Sequence, residues 1–263
     1  MARGKAQNIN LGSGGLIRIS DQPDWGFIYE TSTVRNSKFN IGDKVELPDG
    51  RIFRYGLSTG VLKAEMGCKF TDAGIVPFTS FTTAAAVAAK TISCPAATHV
   101  SQAKDQLRGG YVVIFLAGAV QFRGIVGNDA TAADVAFNIY LDGALSVAVS
   151  TSSAVEVYGN PYRFLDSNMD PNGNGFAGAP AVAVSAAAMY FWVQTNGPIF
   201  LNPQSTLTAT KEATMGCFRH DGSLEAIATA LGATIPTYDT SQIAGYRMAG
   251  SYSGNGPLFM LQG

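Results

Sequence analysis

A polar loop at residues 166–175, with the sequence DSNMDPNGNG, has the residue types needed to bind a cation. Oxygen-bearing side chains alternate along it, as at the start of a calcium-binding loop, where alternate residues converge on one ion. However, Pro171 stands where the sharp turn of such a loop requires Gly, and Ala177 stands where its bidentate Glu is needed. We therefore predict a solvated, turn-rich loop and no metal site.

The two histidines offer little for acid–base catalysis. His220 precedes Asp221, but neighbouring residues on a strand point to opposite faces and make a poor base–carboxylate pair. His99 has no partner nearby in sequence. The chain contains no H-E-x-x-H, G-x-S-x-G or phosphate-binding Gly-rich motif followed by Lys-Ser/Thr. We predict a protein that is not an enzyme, with no catalytic residues and no cofactor, although distant carboxylates could still meet in space.

The three cysteines, Cys68, Cys94 and Cys217, are widely spaced and odd in number. This pattern argues against a disulfide framework and contains no C-x-x-C motif. It predicts buried or half-buried thiols in a protein of a reducing compartment.

Charge is scarce in this chain. Only 14% of its 263 residues are charged, against about 25% in an average soluble domain. A surface so poor in charge is suited to being covered in an assembly. The net charge of −1 provides no basic field, so we expect no direct contact with nucleic acid.

The first 20 residues differ from this background, because they contain Arg3, Lys5 and Arg18 and no carboxylate. They hold no apolar run long enough for a signal peptide, and we predict no membrane-spanning segment elsewhere. Such an arm could be a solvated tail or could order on a partner surface. We take its three basic residues as candidate partner contacts.

Short apolar segments separated by turn residues predict a mainly β chain of the sandwich or barrel type. We expect three regions: an extended basic arm at residues 1–24, a β-rich region at 25–106 and a main β domain at 107–263. A hairpin is predicted at residues 44–55, around the turn Pro48-Asp49-Gly50. Other predicted strands lie at residues 111–116, 122–126, 135–141, 145–149, 154–158, 243–248 and 258–261.

At most one or two short helices are expected. Residues 82–90 are rich in Ala and fit either a short helix or a loop. Residues 224–231 fit an amphipathic helix that ends at Gly232.

Residues 190–198, with the sequence YFWVQTNGP, form the densest apolar strand, and their Asn-Gly-Pro predicts a turn that ends it. The segment contains Trp192, one of two tryptophans; the other is Trp25. Both are candidate partner contacts, and the sequence leaves open whether either belongs to a core or an interface.

Three segments, taken in order, resemble structural proteins of tailed bacteriophages, most closely head decoration or capsid cement proteins. They are residues 109–114 (GGYVVI), 151–162 (TSSAVEVYGNPY) and 190–198. Residues 47–55 and 257–262 fit the same resemblance, which covers about residues 45–263.

The resemblance implies a β-rich protein on the outside of an icosahedral virion, assembled in the host cytoplasm. Its partners would be the major capsid protein and further copies of itself, commonly as a homotrimer. Two alternatives remain: another virion component, such as a tail or head–tail protein, and a glycan-binding or glycan-cleaving β domain. In the latter, Trp25, Trp192 and the loop at 166–175 would frame the sugar site.

Overall fold

A computed structural model describes residues 24–71, 74–167, 175–203, 215–219, 221–226, 242–249 and 258–262. In these parts the chain is mainly β, which confirms the predicted fold class. The helical elements of the described residues are two short 3-10 helices, Gly26–Tyr29 and Pro161–Arg163. The predicted N-terminal arm lies outside the described residues up to its last position, Asp24.

In chain order, the strands of the described residues are β1 (Lys44–Glu46), β2 (Ile52–Leu57), β3 (Cys68–Phe70), β4 (Gly74–Ser80), β5 (Thr91–Cys94), β6 (Tyr111–Leu116), β7 (Ala119–Asn128), β8 (Phe137–Leu141), β9 (Ala154–Tyr158), β10 (Leu165–Asp166), β11 (Phe176–Pro180), β12 (Tyr190–Phe200), β13 (Met215–Phe218), β14 (Leu224–Ala226), β15 (Ile243–Ala249) and β16 (Leu258–Leu261).

The strands form two curled antiparallel sheets, and one of them is continuous in sequence. Strands β4 to β9 build a six-stranded sheet in the order β4-β9-β6-β7-β8-β5. The other ten strands build the second sheet along the path β10-β3-β11-β12-β16-β15-β13-β14, with β2 also beside β12 and β1 beside β2. The chain leaves the ten-stranded sheet after β3, forms the six-stranded sheet, and returns at β10, which pairs with β3. The boundary expected between the regions 25–106 and 107–263 lies between β5 and β6, two strands of the same six-stranded sheet.

The predicted hairpin is confirmed. Strand β1 pairs with β2 through Lys44 with Arg54 and Glu46 with Ile52. At the turn, Gly50 has a φ of +85°, and its amide donates to the Leu47 carbonyl over 3.0 Å. Glycine adopts positive φ without steric cost, so the Pro-Asp-Gly sequence sets this turn locally.

The predicted turn at Asn196-Gly197-Pro198 is wrong, because β12 runs through it to Phe200. The strand pairs with β2 as far as Asn196 and with β16 from Gly197 onward. The register is irregular between Gln194 and Asn196, and Gly197 has a φ of +94°. The turn residues here form a bulge at which the strand changes partners.

Neither possible helix is found in the residues that the structure describes. Residues 82–90 form a loop, in which Ala85 pairs with Val149 in an isolated bridge. Leu224–Ala226 is the strand β14, paired with β13, and residues 227–231 lie outside the described residues. The predicted strand at 145–149 is also a loop, apart from that bridge.

Each sheet has its own buried side chains. Under the six-stranded sheet, Ile92, Val112, Ile114 and Val155 belong to one apolar cluster. The ten-stranded sheet carries three clusters, and Trp192 is the largest of its fully buried side chains. Packing of this kind fixes the sheet positions from which exposed side chains project.

Candidate interaction surface

Trp192 lies in the core of this chain and not on its surface. Its side chain is 1% exposed and packs with Ile28 and Phe53. The rings of Phe39 and Tyr55 lie 4.9 Å and 5.0 Å from its ring centroid. It is therefore a core residue in the folded chain.

Trp25 has a different setting, since it is half-buried at the edge of the same cluster. Its ring lies 6.1 Å from that of Phe27, and part of its surface remains open to a partner. The other candidate contacts, Arg3, Lys5 and Arg18, lie outside the described residues.

The polar loop at 166–175 is described only at its two ends. Asp166 belongs to β10, and its carboxylate accepts a hydrogen bond from the Thr59 hydroxyl over 3.2 Å. Ser167 donates to the Val61 carbonyl over 2.8 Å. Both side chains thus tie the start of the loop to the segment after β2, and residues 168–174 are not described.

His99 has a structural setting. It is buried, with Nδ1 2.9 Å from the Val100 carbonyl and Nε2 3.1 Å from the Val135 carbonyl. Its amide donates to the Asp134 carboxylate over 2.9 Å. These contacts join two loops of the six-stranded sheet, and each ring nitrogen lies against a main-chain carbonyl. His220 lies outside the described residues.

The prediction of buried free thiols is confirmed for Cys68, Cys94 and Cys217. Burial raises the pKa of the Cys68 and Cys94 thiols to about 12. A thiol held neutral in this way is a weak nucleophile and a poor metal ligand.

Within the described ranges, no group of three or more His, Cys, Asp or Glu side chains is placed to hold a metal ion. A shallow cavity of about 190 Å³ lies between Tyr29, Phe53, Glu65, Gln194 and Phe200, which is below the ~300–1,000 Å³ of typical small-molecule sites. No helix of the described chain is long and apolar enough to cross a membrane.

The six-stranded sheet presents an apolar surface to solvent. We call it the outer aromatic face, formed by side chains of β4, β6, β7 and β9: Phe78, Tyr111, Val113, Phe115, Val120, Phe122 and Tyr158. Five of these seven are exposed, and Phe78 and Val120 are each 61% exposed. Surface aromatics on adjoining strands are a recognised mark of interaction sites.

Strand register assembles this face. Tyr111 lies opposite Tyr158, and Phe115 lies opposite Val120. The Tyr111 and Phe122 rings are stacked at 5.2 Å. Because alternate residues of a strand share one face, these side chains project to the same side of the sheet.

A bulge brings Phe78 into the face. The pairing of β4 with β9 shifts between Val76 and Thr79, which leaves Pro77 and Phe78 outside the regular register. The Phe78 ring then lies 5.1 Å from the Phe115 ring. Bulges commonly redirect side chains in this way.

In β7 the usual arrangement of polar and apolar side chains is reversed. Phe122 is 59% exposed, whereas its neighbour Gln121 is 4% exposed. The Gln121 Oε1 accepts from the Ser146 amide over 2.8 Å, and its Nε2 donates to the Val147 carbonyl over 3.0 Å. In β7 the polar side chain therefore faces the interior and the aromatic side chain faces solvent.

The face is nearly free of charge. Of the two charged residues in its four strands, Glu156 lies on the face, opposite Val113, whereas Arg123 lies on the other side of β7 with Gln121. Glu156 accepts a hydrogen bond from the Tyr158 hydroxyl over 2.6 Å, and Arg123 donates to the carbonyls of Phe122 and Ala144.

Sequence patterns did not reveal this face, because the apolar run at residues 111–116 predicts a strand buried on both sides. The alternation Val120-Gln121-Phe122-Arg123 was a usable signal that one side of β7 differs from the other. Its direction could not be read from the sequence, since the polar members turn inward only through contacts with residues 144–147.

Scans against models of known protein families, and searches of curated proteins and of solved structures, found no match to this chain. The likeness to bacteriophage decoration proteins therefore rests on the sequence motifs alone.

Proposed function

We propose that this protein is a non-enzymatic virion structural protein that decorates and stabilises a bacteriophage capsid. In this role it binds between subunits of the major capsid protein on the outside of the virion, as a homotrimer assembled in the host cytoplasm. The observation that supports the proposal best is the outer aromatic face, an apolar surface whose one charged side chain, Glu156, is bonded to Tyr158. A protein whose work is to bury surface against other proteins needs such a face and needs no reactive side chain.

The two-sheet scaffold suits a mechanical role. Each described strand pair is antiparallel, and long-range pairing joins distant parts of the chain, as between β3 and β10. A scaffold of this type keeps a binding surface in one shape, which lowers the entropic cost of each contact. Many modest contacts on a symmetric shell then act together.

Binding to isolated capsids tests the proposal. Purified protein is mixed with expanded capsids that lack decoration protein, and bound copies are counted by sedimentation and located by electron microscopy. We expect saturable binding at symmetry-related positions and greater resistance of the capsid to heat. Failure to bind expanded capsids at micromolar concentration would contradict the proposal.

The arm provides a sharper version of this test. The triple variant Arg3→Gln, Lys5→Gln, Arg18→Gln removes the basic side chains of the arm, and circular dichroism checks that the variant folds. If the arm orders on the capsid, this variant binds more weakly and with less dependence on salt. If the arm is a solvated tail, binding is unchanged.

The two alternatives predict other results. A tail or head–tail protein would form rings or tubes on its own and would not bind the shell. A glycan-binding domain would give signals on a glycan array, but burial of Trp192 removes one of the two aromatic platforms that this alternative needs.

A further inference from the structure

We propose that the imidazole of His99 is doubly protonated in the folded chain and holds two loops together in a proton-dependent way. The loops are the β5–β6 loop, residues 95–110, and the β7–β8 loop, residues 129–136. Loss of one ring proton removes one of the two hydrogen bonds of the ring and loosens this contact. The inference stands apart from the proposed function, because it rests on the hydrogen bonds of one buried side chain.

Main-chain bonds bring the two loops side by side. Gln102 and Thr131 form an isolated antiparallel bridge, in which each amide donates to the carbonyl of the other over 3.0 Å and 2.9 Å. Close to this bridge, the His99 amide donates to the Asp134 carboxylate over 2.9 Å, and the Asp134 amide donates to the His99 carbonyl over 3.1 Å. The main chain of His99 is therefore fixed against the β7–β8 loop whatever the protonation state of its ring.

Both nitrogens of the His99 ring face atoms that only accept hydrogen bonds. Nδ1 lies 2.9 Å from the Val100 carbonyl oxygen, and Nε2 lies 3.1 Å from the Val135 carbonyl oxygen. These are ordinary hydrogen-bond lengths. A neutral imidazole has one N–H and would direct the lone pair of its other nitrogen at a carbonyl oxygen, whereas the imidazolium donates from both nitrogens. The contacts of this ring therefore require two protons.

The surroundings of the ring offset the cost of burying a charge. His99 is 6% exposed, and burial by itself disfavours a cationic imidazole. Two carbonyl acceptors and a neighbouring carboxylate act in the opposite direction, since hydrogen bonds to the charged form and an opposite charge both favour it. That carboxylate belongs to Asp134, which is bonded to the amide of the same histidine. The Phe137 ring packs edge-on against the imidazole, with its centroid 5.3 Å away.

Other charged side chains of the two loops have partners of their own. The charged residues of these loops are Lys104, Asp105, Arg108, Asp129 and Asp134. Asp105 lies 3.8 Å from Arg108. Asp129 accepts a hydrogen bond from the Tyr140 hydroxyl of β8 over 2.7 Å, and the charge of Lys104 acts on it. Asp134 is thus the charged side chain of the two loops that is hydrogen-bonded to His99.

The direction of the pH effect follows from these bonds. An imidazole in an unfolded chain loses its second proton near pH ~6.5. The folded chain retains that proton to make both bonds, so above this pH it binds more protons than the unfolded chain, and stability falls as pH rises. The contribution of His99 is complete below about pH 6 and is lost between there and about pH 8.5.

Nuclear magnetic resonance of the full-length protein labelled with 15N-histidine measures the ring protons directly. His99 and His220 are the two histidines, so either His99→Gln or His220→Gln assigns the signals. At about pH 7 we expect both nitrogens of His99 to carry protons in the folded protein, and the neutral ring to predominate in concentrated urea. A neutral His99 ring in the folded protein at this pH would overturn the inference.

Urea unfolding of the unmodified protein and of His99→Gln at about pH 6 and pH 8.5 measures the energetic effect. A glutamine amide donates hydrogen bonds but does not titrate. The folding equilibrium constant of the unmodified protein, divided by that of the variant, should fall at least ~10-fold from the lower pH to the higher. A ratio that is constant or that rises with pH would contradict a proton-dependent contact.

Thr131→Val is the matched control. The Thr131 hydroxyl also donates to the Val135 carbonyl, over 3.0 Å, and it carries no titratable group. The corresponding ratio for this variant should be the same at both pH values, because the bond that it removes does not depend on a proton equilibrium. If Thr131→Val reproduces the pH dependence of His99→Gln, the effect does not come from the His99 ring and the inference is wrong. Should His99→Gln not fold, the ring protons measured in the unmodified protein still decide the question.

Discussion

At the scale of single residues, Trp192 illustrates how burial decides a role that sequence leaves open. Aromatic residues on strands occur both in cores and at interfaces, so the sequence alone leaves open which setting applies to this side chain. The structure resolves them because Phe27, Phe39 and Tyr55 converge on the ring. Those residues lie far from it in sequence, and only the pairing of β2 with β12 brings Tyr55 beside Trp192.

Trp192→Ala is accordingly expected to lower the free energy of unfolding by about 3–5 kcal/mol, since it removes a fully buried aromatic side chain. Urea denaturation followed by circular dichroism measures the change. Trp25→Ala, at the half-buried edge of the cluster, is the control and should cost clearly less. An equal loss in the two variants would contradict the assignment of Trp192 to the core.

The buried thiols lead to a second prediction at this scale. Cys68 and Cys94 have pKa values of about 12 in the folded chain, above the ~8.5 of a free cysteine. The folded state therefore binds more protons than the unfolded state at high pH, and stability should fall as pH rises from about 9 to about 12.

The same burial should block labelling by a thiol reagent at about pH 8 until the protein is unfolded. Rapid labelling of the native protein would contradict it.

At the scale of elements, the sequence predicted strands well where their limits are set locally. The predicted limits of β6, β9 and β16 match the structure, because each is a compact, mostly apolar run next to turn residues. The predictions were wrong where pairing with a strand distant in sequence determines the secondary structure. Leu224–Ala226 has helical propensity but pairs with β13, and the turn residues of β12 became a bulge because β16 lies ready to continue the pairing.

The candidate surface was less accessible from sequence than the strands that carry it. Alternation shows that a strand has two sides, but which side faces solvent depends on what covers the other. In β7 the loop at residues 144–147 satisfies Gln121, and that contact turns Phe122 outward. The composition indicated only that the surface is poor in charge, and not where apolar side chains are exposed.

Gly197→Ala tests the bulge in β12. A Cβ at this position would lie 2.7 Å from the Arg51 Cα and from the Gly50 carbonyl oxygen, and neither main-chain atom can move aside. With the positive φ in addition, we expect a loss of about 3 kcal/mol or more in the free energy of unfolding.

Gly50→Ala, in the facing turn, is the matched control for that substitution. Its φ of +85° is similar, but no atom lies within 4 Å of an added Cβ. It should cost only the conformational strain, about 1–2 kcal/mol. If the two variants unfold at the same urea concentration, the close approach of residue 197 to the main chain of Gly50 and Arg51 does not contribute to the loss of stability.

At the scale of the whole molecule, the strands of the six-stranded sheet lie in sequence between β3 and β10 of the ten-stranded sheet. The two sheets are therefore connected after β3, where the chain leaves the ten-stranded sheet, and before β10, where it returns. Asn160 lies at the return, between β9 and β10. Its Nδ2 donates to the Ile41 carbonyl over 2.8 Å, and its Oδ1 accepts from the Tyr162 amide over 3.0 Å. The side chain thus links the end of the six-stranded sheet to the loop that precedes β1.

Asn160→Ala removes both bonds and leaves the half-buried Ile41 carbonyl and Tyr162 amide without this partner. The expected loss is about 1–3 kcal/mol in the free energy of unfolding. Asn138→Ala is the control, because Asn138 is exposed and its side chain bonds to the surface carboxylate of Asp129; it should change stability by less than about 0.5 kcal/mol. Hydrogen exchange then localises the effect: opening should increase on both sides of the junction, near Ile41 and near Tyr162. Increased exchange confined to one sheet would show that Asn160 supports that sheet alone and does not couple the two.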